Sequence, residues 1–83
     1  MSSIEAINAS LAQAREDLLV AHNGARVARD RIAEAAAILT ELGRHHPDPL
    51  VPPELLAADE GFARGLESLV GGLALIEQFQ AAL

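Results

Sequence analysis

The side chains able to do chemistry in this sequence fall into three groups. His45, His46 and Asp48 form the densest metal-like cluster. Adjacent residues in extended backbone point to opposite sides, so two neighbouring histidines do not clasp one ion, and no further ligand stands at a recognisable spacing. They read as solvated loop residues. His22 lacks the carboxylate-x-x-His pairing of di-metal bundles, because residues 18, 19, 25 and 26 are Leu, Leu, Ala and Arg. Arg26, Arg29 and Arg31 interleave with Asp30 and Glu34. Such a cluster either grips a small anion, a dicarboxylate or a phosphate, or is taken up by surface ion pairs, Arg26 with Asp30 along one helix and Arg29 with Glu67 across to another. Ser10, Thr40 and Ser68 have no His base in helical register, and the Gly71–Gly72 pair lacks the preceding strand of a phosphate-binding loop. The absence of Cys removes thiolate ligands, thiol nucleophiles and disulfides together. On these grounds no catalytic residue, metal ligand or cofactor is assigned.

Any such group must be positioned by helices. Ala and Leu make up 30 of the 83 residues, against two aromatics, which is too few aromatic and β-branched residues for a sheet core. Ser2 and Glu5 have capping-box spacing, so a first helix starts at about residue 3. From there Ile4, Ile7, Leu11, Ala14, Leu18, Ala21, Ala25, Ala28, Ile32, Ala35, Leu39 and Leu42 recur at spacings of three and four, a heptad seam. Gly43 fits the left-handed residue that ends many helices. Pro47, Pro49, Pro52 and Pro53 block continuation and make a hinge over residues 43–52. Pro53 suits the first turn of a second helix running to about residue 82, whose seam is Leu55, Phe62, Leu66, Leu69, Leu73, Ile76 and Leu83, with Asp59 and Gln80 as polar interruptions.

The whole chain, 1–83, therefore reads as one all-α domain, a two-helix antiparallel hairpin. Folded about residue 47 or 48, it pairs residues whose numbers add to about 95. Leu66, Leu69 and Leu73 then meet Ala21, Gly24, Ala25 and Ala28, large against small. The expected hairpin core is Leu18, Ala21, Ala25, Ala28, Ile32 and Leu39 on one helix, with Phe62, Leu66, Leu69, Leu73 and Ile76 on the other. The same pairing leaves residues 1–11, with Ile4, Ile7 and Leu11, projecting past the end of the second helix. Exposed seam residues imply another subunit. A ridge of small residues, Ala57, Gly61, Gly65, Ser68 and Gly72, supports this, since each interior Gly costs about 1 kcal/mol of helix propensity and close approach by a partner helix explains its presence. The hairpin is expected to dimerise into a four-helix bundle.

Charge and hydropathy limit the partners. Six Arg, no Lys and twelve acidic residues give a net charge of −6, without the basic footprint that nucleic acid requires. The longest charge-free apolar stretch, Ser68 to Ile76, is far shorter than the roughly 20 residues of a membrane span. Residues 1–5 show no basic n-region or apolar h-region, so the expected location is cytoplasmic, with export lacking a cleaved signal as the alternative.

In size, Ala content, acidity and lack of Cys the chain resembles the small helical-hairpin proteins of type VII secretion systems, the WxG-motif superfamily. The resemblance is one of architecture: the turn reads Leu42, Gly43, Arg44, His45, His46 without Trp-x-Gly, and the tail has no Tyr-x-x-x-Asp/Glu signal. It implies a secreted hairpin and transfers no functional residue. Three expectations follow. The first is a non-enzymatic protein acting by contact with itself or with another helical protein. The others are a small all-helical enzyme or anion-binding protein using Arg26 and Arg29, and a type VII secreted hairpin.

Overall fold

A computed structural model describes residues Ser2–Leu83; Met1, part of the expected overhang, lies outside them. Helix α1 spans Ser3–Leu42 and helix α2 spans Pro53–Ala82. They lie antiparallel as an all-α hairpin in which Arg15 faces Glu77, Leu18 faces Gly72 and Arg29 faces Asp59. At ~1.5 Å per residue a helix of this length is about 60 Å long, and the molecule is a rod of 66 × 15 × 15 Å. No helix among the described residues is long and apolar enough to cross a membrane.

Local sequence explains each boundary. The Ser2 hydroxyl accepts from the Glu5 N–H at 3.1 Å while Glu5 Oε2 accepts from the Ser2 N–H at 3.2 Å, so the capping box satisfies two otherwise orphan donors. Pro52 caps α2 in extended backbone and Pro53 occupies its first turn, where a missing N–H costs nothing. Gly43 ends α1 in a different way from that expected. Its φ of −83° is right-handed, so conformational freedom is not what selects glycine there. The hinge folds back so that Leu50 lies on Gly43, and a Cβ at 43 would stand 3.2 Å from Leu50 Cγ and 3.1 Å from the Leu39 carbonyl oxygen. Close approach is the reason for the glycine.

Two further expectations are corrected. The first concerns register: the observed facing pairs have numbers that add to about 90, roughly one and a half helical turns away from the expected 95. The hinge segment Leu50–Val51 packs alongside the last turn of α1, both residues half-buried, and this sets α2 back along α1. Leu66, Leu69 and Leu73 consequently lie level with Asp17 to Gly24. The overhang also shortens. Leu11 is half-buried against the end of α2, whereas Ile4 and Ile7 remain 54% and 48% exposed.

The second concerns which side of α1 faces inward. Leu11, Leu18, Ala25, Ile32 and Leu39 form one half-buried line, but the line beside it is Asn8, Arg15, His22, Arg29 and Ala36. The alanine line is turned to the flank, with Ala21 and Ala35 exposed. The arginine stems and the His22 ring cover more apolar surface than alanine methyls do, and the arginine heads find Glu77 and Asp59 on α2. Ala28 stays half-buried at the margin. On α2, Leu66, Leu69, Leu73 and Ile76 are half-buried, while Phe62 is 39% exposed because the level it faces on α1 carries small alanines. Among the described residues no side chain is fully buried. One helix–helix seam cannot enclose anything.

Candidate functional site

The hairpin presents two broad sides. On the first, α1 contributes Arg26 and Ala33, each one position past a seam residue, and α2 contributes Leu56, one position past Leu55. These line an open cleft of about 300 Å³ together with Arg29, Asp59 and Leu66. Within it Arg29 Nε donates to Asp59 Oδ1 at 2.9 Å and Arg29 Nη2 to Asp59 Oδ2 at 3.1 Å, a two-pronged ion pair. The hydrogen bonds from Arg29 hold the Asp59 carboxyl below its ordinary pKa, and the same pairing raises that of Arg29. The expected partner Glu67 stands on the outer side of α2 at this register. Asp59 takes its place.

This pairing decides what the arginine cluster can do. Arg29 has its fork occupied, and the cleft's lining holds Arg26 and Arg29 against Asp30 and Asp59, so its formal charges cancel. In the hinge, His46 turns back on its own loop: the Asp48 N–H donates to His46 Nδ1 at 3.3 Å. No group of three or more His, Asp or Glu able to hold a metal occurs among the described residues.

The second side is largely apolar. α1 shows Ile7, Ala14, Ala21, Ala28, Ala35 and Leu42 along one line and Asp17, Gly24, Arg31 and Ile38 beside it. α2 shows Gly65, Gly72 and Phe79, flanked by Gly61, Ser68 and Leu75. Large exposed apolar residues stand at both ends of this side, with Ile38 at 55%, Leu42 at 69%, Leu75 at 56% and Phe79 at 61% exposure. The centre is small. A Cβ built on Gly24, Gly61 or Gly65 meets nothing within 4 Å, so no neighbour in the hairpin requires those glycines. Gly72 differs, because a Cβ there would touch Leu18 Cδ1 at 3.4 Å, an ordinary contact within the chain. Of the residues expected to meet a partner, Ile4, Ile7, Gly61 and Ser68 are exposed, and Leu11, Gly65 and Gly72 are half-buried.

Sequence reasoning missed Leu50 and Val51, which close the hinge end, as well as Ile38, Leu75 and Phe79, which lie off the seams. A heptad reading that follows the positions flanking each seam, rather than the seam alone, finds the last three. Compared with known proteins, the chain matches no family model, no curated protein and no solved structure.

Proposed function

We propose that this protein is a non-enzymatic helical hairpin that acts by protein–protein contact, associating with a second copy of itself into a four-helix bundle. The observation that carries the reading is exposed surface. The hairpin exposes 6129 Å², whereas a compact monomer of its mass of 8.7 kDa exposes about 4,700 Å². The excess, about 1,400 Å², exceeds the ~800 Å² that each partner buries in a standard interface. Thirteen large apolar side chains are among the exposed residues, and five of them, Ile7, Ile38, Leu42, Leu75 and Phe79, lie on one side of the hairpin. The neutralised arginine cleft adds no competing reason to read the molecule as an enzyme or an anion binder.

Mass action provides the test. If folding and association are coupled, the melting temperature followed by circular dichroism falls by about 4 °C per tenfold dilution, for an unfolding enthalpy near 0.7 kcal/mol per residue. A melting temperature independent of concentration over three decades, with helicity retained, overturns the reading.

A further inference from the structure

We infer that the second copy docks antiparallel on the apolar side of the hairpin, about a two-fold axis that passes beside Gly24 of α1 and Gly65 of α2. The inference rests on the self-association proposed above and specifies its face and direction. It begins with a palindrome in α1. Reversing the helix about residue 24 or 25 exchanges Ile7 with Leu42, Ala14 with Ala35 and Ala21 with Ala28, so large residues meet large ones at the ends and alanines meet alanines between. A two-fold interface requires that self-complementarity, since the same patch serves both copies.

Charge supplies an independent sign of the same axis. Asp17 and Arg31 stand seven residues either side of Gly24, on the same flank, and neither forms a salt bridge among the described residues. The two-fold brings Asp17 of each copy to Arg31 of the other, making two ion pairs at the rim. A third observation comes from α2, whose small residues have their own centre: reversal about Gly65 exchanges Ala58 with Gly72 and places Gly61 beside Ser68. In the hairpin Gly65 lies level with Gly24, because their numbers fit the observed register. One axis therefore serves both helices, and every neighbouring pair of helices in the resulting four-helix bundle runs antiparallel. A side of the rod, 66 Å long and 15 Å wide, offers about 1,000 Å², enough for a standard interface.

The chain contains no native Cys, so single cysteines report the axis directly. Gly24→Cys and Gly65→Cys, each shown by circular dichroism to keep wild-type helicity, are oxidised and run on non-reducing gels beside Ala33→Cys from the cleft side. The expected result is a covalent dimer for the first two and a monomer for the third. Asp17→Arg and Arg31→Asp each weaken dimerisation by about fivefold, the effect of losing two rim ion pairs, and the double exchange restores it, which a merely destabilised fold would not do. A wild-type dimer in which Ala33→Cys cross-links and Gly24→Cys does not, or in which the charge exchange gives no rescue, overturns the axis and leaves self-association standing. A fully helical wild-type monomer overturns both.

Discussion

At the scale of single residues the main specific contact between the helices is Arg29 with Asp59. Burial here is partial, the side chains being 41% and 31% exposed, so its contribution is limited by solvent screening. Its pH dependence is nevertheless definite in sign. Asp59 ionises below its ordinary value of 3.8 in the fold and returns to that value on unfolding. The stabilisation is complete above 3.8 and disappears as pH falls through the lowered value. Asp59→Asn is therefore expected to melt below wild type at pH 7, with the gap closing towards pH 2. A gap that is the same at both pH values contradicts this account of the pair. In the sequence Asp59 was visible as a polar interruption of its seam and Arg29 as a member of the arginine cluster, but the pair itself was not, because sliding α2 by about two turns exchanges Glu67 for Asp59 while leaving every apolar spacing intact.

At the scale of elements, the helices were legible because their signals are local. Ser2 with Glu5 and Pro53 act within one turn of backbone, and the structure places both ends where those residues require. The hinge was less legible. The four prolines state that the helix stops, but not that Leu50 turns back onto Gly43 to close the hinge end of the hairpin. Two substitutions test it as a pair. Leu50→Ala removes a half-buried side chain and is expected to cost about 1 kcal/mol. Gly43→Ala destabilises the wild type by displacing Leu50. In the Leu50→Ala background it destabilises less, since the Leu50 contacts are gone and only the 3.1 Å approach to the Leu39 carbonyl oxygen remains. Urea denaturation of the four proteins gives the coupling, and effects that simply add would mean that Leu50 does not rest on Gly43.

At the scale of the whole molecule, composition already pointed towards assembly, through 30 Ala and Leu residues in a chain too short to enclose them. What composition and spacing left open was which apolar line belongs inside. α1 carries two, one headed by Leu11 and Leu18 and one made of Ile7, Leu42 and the alanines between. Read together they look like one heptad seam, but a hairpin has room for only one neighbour. The arginines settle the orientation of α1 by taking their place beside the leucine line, and the alanine line is left on the flank with the glycines of α2. The radius of gyration, 19.1 Å, against about 12 Å for a compact chain of this length, expresses the same incompleteness. The central claim is that the folded unit in solution holds two chains. Light scattering on the size-exclusion peak at micromolar concentration tests it most directly: the account predicts twice the chain mass of 8.7 kDa, and a fully helical species of that single mass would contradict it.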